Sequence, residues 1–595
     1  MINEPRTGQV VYTNKAHCRD CYRCLRVCPV KAIKMENGQA YVMPERCISC
    51  GTCIRECPQG AKTFRNDVEY AAAIMASGEA AAASVAPSFA AVYTEAEQKR
   101  LASALRQLGF SYVGETAIGA YHVAHETARV VAADKRRAHI CTACPAVVRY
   151  IECYQPDKAE MLVPVVSPMI AHAAHIKKSL GDAAKVIFIG PCVAKKSEAQ
   201  RAENLGIVDC VLTFQELAEW FEREGIKLLA CEESRFDETP EGDSRYFPIP
   251  GGSMKASSLD TDLLSEDIVS VSGFAEVREA ILGTGGEDSP QVIEPLFCAQ
   301  GCINGPAIHM ERGAYQRRRD IIEYASKNKG SKPEDRIFPE LRTRFAPAVI
   351  DAKDISEEQI RELLEQTGKA SPENQLNCGA CGYPSCREKA IAVIRGMAEL
   401  EMCIPYMKRL AEQRTDRIIE TSPNGIVILD DQLRIISMNP AFRNFFMCSE
   451  AICGKPVSYL MDPDPFERLA SGKDESVEMV VTHGNYNLVC HQIIYALRED
   501  KQYVGIFVNI TKNKSHKDKL DRLRGQTVLQ ARELLDHQIN MAQTIAKYLG
   551  ESTAQSEALL EKLMFFASDE SGDKDDSNKD ARYNREWIKD IYTSK

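Results

Sequence analysis

Two copies of one cysteine pattern constrain this chain more than any other feature. The first reads Cys18-x2-Cys21-x2-Cys24-x3-Cys28-Pro29 and the second Cys47-x2-Cys50-x2-Cys53-x3-Cys57-Pro58. A short loop with two-residue gaps turns successive sulfurs toward one centre, and iron in a cube takes soft thiolates at tetrahedral angles. In this spacing three thiolates of each run hold one [4Fe–4S] cube, and the fourth crosses to the other cube. The expected sets are Cys18, Cys21, Cys24 with Cys57, and Cys47, Cys50, Cys53 with Cys28. A pair of zinc sites is the competing reading; eight cysteines in a doubled pattern, each copy closed by proline, weigh against it.

The rest of the chain fits a reducing compartment. It holds 23 cysteines in 595 residues, and its start, MINEPRTG, lacks a basic region followed by an apolar one. Without a secretion signal, so many thiols point to metal or redox chemistry rather than disulfides, and the expected location is cytoplasmic. No uncharged run of about 18 apolar residues occurs, so no membrane span is expected. Lys+Arg 74 against Asp+Glu 84 gives a net charge of −10, which argues against nucleic acid as a partner. The length predicts about three to six folding units.

A third cysteine cluster reads Asn377-Cys378-Gly379-Ala380-Cys381-Gly382-Tyr383-Pro384-Ser385-Cys386, followed by Cys403. It resembles the small four-cysteine iron–sulfur domain of electron-transfer complexes. Gly379 and Gly382 let the backbone approach a cluster closely. Zinc is the alternative, because only one copy exists.

Four more cysteines sit on three separated loops. They are Cys144 in Cys141-Thr142-Ala143-Cys144-Pro145, Cys192 in Gly190-Pro191-Cys192-Val193-Ala194-Lys195-Lys196-Ser197-Glu198, and Cys298 and Cys302 in Glu294-Pro295-Leu296-Phe297-Cys298-Ala299-Gln300-Gly301-Cys302. Singly each reads as a core thiol; together they make the donor set of one cube. These loops resemble the active-site loops of [FeFe]-hydrogenases, whose patterns are TSCCP, MPCxxKxxE and ExMxCxxGC. Weaker matches are VLTFQELAE at 211–219 and GGSMKA at 251–256. The resemblance runs from about residue 1 to about 345. It implies an H-cluster: a cubane on Cys144, Cys192, Cys298 and Cys302, with Cys302 also bridging to a two-iron subcluster that carries CO, CN⁻ and an aza-dithiolate. It further implies that Lys195 donates to a cyanide ligand, where an ammonium in a dry pocket is a strong donor. Glu198 and Glu294 match acidic positions of the family; their plain reading is a carboxylate that satisfies lysine or backbone donors.

The departures from that family carry as much information. The relay cysteine of TSCCP is Ala143 here, and a methyl neither accepts nor donates a proton. A loose alignment places Glu126 and Arg129 at the two glutamates of the family's proton route and Val163 near its serine. The MPC methionine is Gly190, and the ExMxC methionine is Leu296. The resemblance therefore implies slow turnover, since general acid–base steps supply about 10²–10⁴ in rate. Cys141, two residues before Ala143, is either a substitute relay or a buried thiol that packs.

After residue 412 the cluster patterns stop. Gly425–Asp430 and Leu433–Ile436 read as a hairpin. Asn439-Pro440 reads as a cap and first turn of a helix, and Tyr503–Thr511 as an exit strand. This order resembles a PAS domain. Cys448, Cys453, Cys490, His483 and His491 in this segment read as packing or surface residues ahead of ligands. Val528, Leu535, Ala542 and Leu549 recur every seven residues, which suits a dimeric coiled coil or a packed helix. The end is acidic and reads as a solvated tail.

The expected organisation is therefore multidomain, α/β and α+β: a two-cluster ferredoxin head (1–68), a two-lobed α/β H-cluster domain (69–345), a small helical four-cysteine domain (346–412), a PAS domain (413–515), an amphipathic signalling or dimerisation helix (516–565) and a tail (566–595). The resemblance as a whole is to sensory-type, PAS-containing [FeFe]-hydrogenases of anaerobes. It implies heterolytic H2 cleavage of low activity. The implied partners are H2, protons, a redox partner such as ferredoxin, maturation proteins, a downstream kinase or phosphatase, and a second copy through the PAS domain and terminal helix. Two alternatives stay open: a catalytic ferredoxin-linked hydrogenase, and an iron–sulfur carrier that never receives the two-iron unit.

Overall fold

The computed structural model describes residues 8–257, 267–285, 290–308, 312–328, 330, 338–348, 350, 354–497 and 501–511. The helix expected over 516–565 and the tail beyond it lie outside the described residues. The chain divides into two units, Met1–Leu410 and Ala411–Lys595.

The first unit begins with the cysteine-rich head. Strand Val11–Thr13 pairs antiparallel with Lys62–Phe64, and Ile33–Glu36 forms a hairpin with Gln39–Val42. Short helices Arg23–Val27 and Thr52–Arg55 carry the third cysteine of each run. The two runs share an unusual backbone. Asp20 and Tyr22 flank Cys21 with φ of 53° and 56°, while Ser49 and Gly51 flank Cys50 with φ of 54° and 75°. This left-handed winding folds each loop around its sulfurs. Tyrosine is tolerated at the first position. At the second, a Cβ on Gly51 would lie 2.5 Å from Pro306, so a bare backbone is needed there.

Two parallel sheets follow. Tyr112–Glu115, Ala81–Val85, Lys185–Gly190 and Cys210–Thr213 lie in that order in one. The other holds Ile268–Ser272, Val292–Leu296 and His139–Ile140. Strands such as AAASV at 81–85 are buried along their whole length, as parallel strands covered on both faces must be. The Ala-rich stretch at 71–92 is thus a helix end, a buried strand and a 3-10 turn. These two sheets match the two-lobed α/β expectation. Helices Glu357–Gln366 and Cys386–Ile394 then pack through Ile360, Leu364 and Ala390 into the small helical module.

The second unit holds a five-stranded antiparallel sheet. Its order is Ile435–Met438, Gly425–Leu429, Gln502–Asn509, Leu488–Leu497, Ser476–His483. Asn439 caps helix Pro440–Phe445, its side chain accepting from Phe442 N at 2.9 Å. Phe442, Phe446, Phe466 and Phe507 fill the core. Cys490 is buried there, Cys448 Sγ meets Met438 Sδ at 3.7 Å, and His491 pairs with Glu478 at 2.9 Å. These contacts are those of packing residues.

One buried charge centre braces the larger sheet. Lys196 is 1% exposed and donates to Asp67 at 2.8 Å, Glu216 at 2.8 Å and the Val211 carbonyl at 2.7 Å. Glu216 also closes the capping box of helix Phe214–Arg223 by accepting from Thr213 N. Burial would raise the Asp67 carboxyl, but Lys196 and Arg65 outweigh that and hold it below its ordinary value. A lone carboxylate pair left in this place is costly. Lys196→Met is therefore expected to destabilise the fold by about 3–5 kcal/mol, measured by denaturant unfolding; a loss below about 1 kcal/mol would contradict the brace.

Candidate metal centres

Three strand ends deliver the thiols. His139–Ile140 runs into Cys141–Cys144, Lys185–Gly190 into Cys192, and Val292–Leu296 into Cys298 and Cys302. All three strands are parallel members of their sheets, and loops at the carboxyl ends of such strands are where α/β folds place ligands. Cys144 is the N-cap of helix Pro145–Tyr154, with Pro145 at its first position. Cys302 is fixed by its own backbone, whose N–H donates to the Pro248 carbonyl at 2.8 Å. Gly301, with φ of 88°, makes this possible, because a Cβ there would stand 2.4 Å from the same carbonyl.

The four thiols converge. Cys298 lies within electrostatic reach of Cys192, Cys302 and Cys144, and Cys192 within reach of Cys144. Burial, then this mutual repulsion, pushes Cys192 up to about 11 and raises Cys298 and Cys302 further. Burial also raises Cys144. Lys195 works against that rise at Cys144, Cys192 and Cys302. Its ammonium donates to Glu198 at 2.6 Å and Ser167 Oγ at 2.8 Å, and stands 3.4 Å from the Ala143 carbonyl.

The other candidate residues divide. Ala143 packs with Ala120, Ala124, Phe247 and Ala256. Cys141 is buried beside Met254, Val131 and Val292, and its thiol is raised by burial and by Glu294. Glu294 accepts from Gly251 N at 2.7 Å, Ser253 N at 2.8 Å and Ser270 Oγ at 2.7 Å, so its carboxylate serves helix Gly252–Ala256. The contacts of Glu126 are with arginines, Arg342 at 2.7 Å and Arg129 at 3.4 Å. Val163 is fully buried among apolar neighbours. The space of a side chain at Gly190 is taken by Phe188 and Ala86.

In the head the thiols fall into crossed groups. Cys24 feels Cys21, Cys18 and Cys57; Cys53 feels Cys50, Cys28 and Cys47. Burial is the larger cause in raising Cys24 and Cys47 to about 11 and Cys50 to about 12. In the helical module, Cys378, Cys381, Cys386 and Cys403 line one cavity together with Lys369 and Lys389. Sequence patterns did not single out these lysines, nor Ser167. Only the serine carries a local signal, its place before Pro168 at a helix start.

Among the described residues no three His, Cys, Asp or Glu side chains are set to share one metal ion. All-sulfur donor sets suit the soft ligation of iron–sulfur clusters.

Comparison with known proteins agrees with this chemistry. Residues 79–306 match the iron only hydrogenase large subunit, C-terminal domain; residues 10–58 a 4Fe-4S dicluster domain; residues 374–405 a putative Fe-S cluster family; and residues 413–480 a PAS domain. The chain is 40% identical over 85 residues to the cytosolic Fe-S cluster assembly factor NAR1 of Vanderwaltozyma polyspora, covering 14% of this chain and 16% of that protein. It is 24% identical over 307 residues to the NADP-reducing hydrogenase subunit HndD of Solidesulfovibrio fructosivorans, covering 41% and 52%. It is 26% identical over 329 residues to the periplasmic [Fe] hydrogenase large subunit of Nitratidesulfovibrio vulgaris, covering 48% and 77%. A solved [FeFe]-hydrogenase HydA1 variant from Chlamydomonas reinhardtii aligns at 19% identity and a TM-score of 0.37, over 48% of this chain and 100% of that one. The chain thus spans about half or less of the first two curated relatives. Fold and site define an iron–sulfur protein. More particularly, it carries a hydrogenase large-subunit domain behind a dicluster head, and a PAS domain. No helix among the described residues is long and apolar enough to cross a membrane.

Thiols held neutral by burial must lose protons when a cluster forms, so loading improves as pH rises. With Cys24, Cys47 and Cys192 near 11 and Cys50 near 12, iron uptake during reconstitution should still be climbing at about pH 10. Iron content and visible absorbance measure it; a plateau by about pH 9.5 would mean that these thiols ionise as free ones do.

Proposed function

We propose that the chain is an H2-responsive [FeFe]-hydrogenase of low turnover that reports through its iron–sulfur clusters and PAS domain to a regulatory partner. One observation carries the reading. The thiol set and Lys195 are retained, whereas the position beside them that should move protons is a methyl among Ala120, Ala124, Phe247 and Ala256. The residues that would hold an H-cluster are Cys144, Cys192, Cys298 and Cys302. Bound there, the two-iron unit would supply the heterolytic chemistry of H2.

The chain's own side chains act around that unit. Lys195 offers its charge to an anionic ligand while Glu198 and Ser167 hold the ammonium in place. Phe297 is buried in the same apolar cluster as Cys144 and Cys192, and Leu296 and Ile303, next to the cysteine loop in sequence, are buried too, which keeps water from this side. Proton movement is where the chain falls short. Glu126 is occupied by Arg342 and Arg129, and Val163 is apolar. Cys141, raised by burial, keeps its proton, and the Thr142 hydroxyl is committed to the Val165 carbonyl at 2.7 Å. A site that binds H2 yet exchanges protons slowly is suited to detection. The PAS domain, with its core filled by four phenylalanines, suits a relay between proteins, such as a kinase or phosphatase.

Infrared spectra of matured protein test the reading. CO and CN⁻ bands that shift between argon and H2 are expected; their absence in fully matured protein leaves the electron-carrier alternative. Restoring a thiol with Ala143→Cys should raise H2 turnover by about 10², assayed with reduced viologen. An unchanged rate in a variant with intact infrared bands would sink the methyl as the limiting break.

A further inference from the structure

Lys369 and Lys389 are 6% and 4% exposed, although both are long cations. Such burial is costly without a partner. Lys369 Nζ donates to Cys403 Sγ at 2.9 Å and is drawn to Cys386 as well. Lys389 donates to the Leu400 carbonyl at 2.9 Å and lies within electrostatic reach of Cys403 and Cys381. The head differs in the kind of donor. Lys62 is near Cys24 and Lys31 near Cys28, but Lys62 donates to Thr13 and, at 3.2 Å, to the Ala40 carbonyl, and Lys31 to the Leu25 and Arg26 carbonyls at 3.0 and 3.1 Å. The sulfurs of Cys28 and Cys47 accept neutral backbone N–H groups of Ala32 and Ser49, each at 3.3 Å.

The module also rests against the head. Arg26 bridges the Ala380 carbonyl at 3.2 Å and the Cys21 carbonyl at 2.9 Å. Met35 N donates to the Met397 carbonyl at 3.0 Å. A Cβ on Gly382 would stand 2.9 Å from Leu25, so the cysteine loop packs directly on the head. Tyr383 lies within electrostatic reach of both Cys381 and Cys28. The group to which Cys28 belongs also contains Cys50, which is within reach of Cys298.

We propose that the electron path branches at the cube of Cys28, Cys47, Cys50 and Cys53, and that Lys369, with Lys389, makes the four-cysteine module the arm that holds the electron. This deepens the reading above and rests on the cubes assigned there. One electron leaves the junction cube, which is oxidised, and enters the module's cube, which is reduced and gains one negative charge. An ammonium bonded to a ligand sulfur stabilises that added charge and raises the potential of the acceptor.

The test is a redox titration of the full chain followed by electron paramagnetic resonance, with dithionite as reductant. The signal altered in Cys378→Ser is that of the module. In the unsubstituted chain it should reduce at a higher potential than the head signals. Lys369→Met should lower its midpoint and leave the head signals in place, while Lys369→Arg should keep the midpoint close to the starting value. Should Lys369→Met lose the cluster, Lys389→Gln gives the same reading from the second ammonium. An unchanged midpoint, a module signal below those of the head, or a cluster lost in both Lys369→Met and Lys389→Gln overturns the proposal. Because dithionite supplies the electrons, the result stands apart from whether the chain reacts with H2.

Discussion

Thiols gathered in a buried space repel one another as they ionise, and nothing local in a chain brings Cys144, Cys192, Cys298 and Cys302 together. The two parallel sheets do it. Each sheet directs its strand ends to one side, and the loops that leave those ends carry the sulfurs. Left alone, the cavity would favour neutral thiols. An iron cluster changes that balance, because metal–thiolate bonds replace protons on sulfur. The fold therefore invests in rigid supports around the loops: the Pro248 carbonyl on Cys302, the bare backbone of Gly301, and Pro145 opening a helix behind Cys144.

Charge is distributed with the same economy. Adjacent lysines take opposite tasks, since the helix Ala194–Ala199 turns them about 100° apart. Lys195 faces the thiols with Glu198 and Ser167. Lys196 faces the sheet and is locked between Asp67 and Glu216. Two further lysines, at 369 and 389, attend the module's sulfurs. Each buried ammonium is matched to carboxylates, carbonyls or thiols, as a low-dielectric interior demands.

The head shows how a repeat adapts to its setting. Both cysteine runs need left-handed residues around the second cysteine, and both have them. The first run uses Tyr22, while the second uses Gly51 because Pro306 presses on it. A local sequence pattern thus sets the loop, and a distant proline sets which residue it tolerates.

The cysteine spacings and the Asn439 cap were legible in the sequence, because each depends on neighbours within a few residues. The residue types themselves also declared the loss at Ala143. That Lys196 is locked between Asp67 and Glu216, that Glu126 is taken up by Arg342, that Phe188 fills the space at Gly190, and that Lys369 reaches Cys403 were decided only by the tertiary structure. These contacts join residues distant in sequence or depend on which way a helix is turned. Periodicity and spacing describe the chain along its own length; the partners of a buried charge are chosen across it.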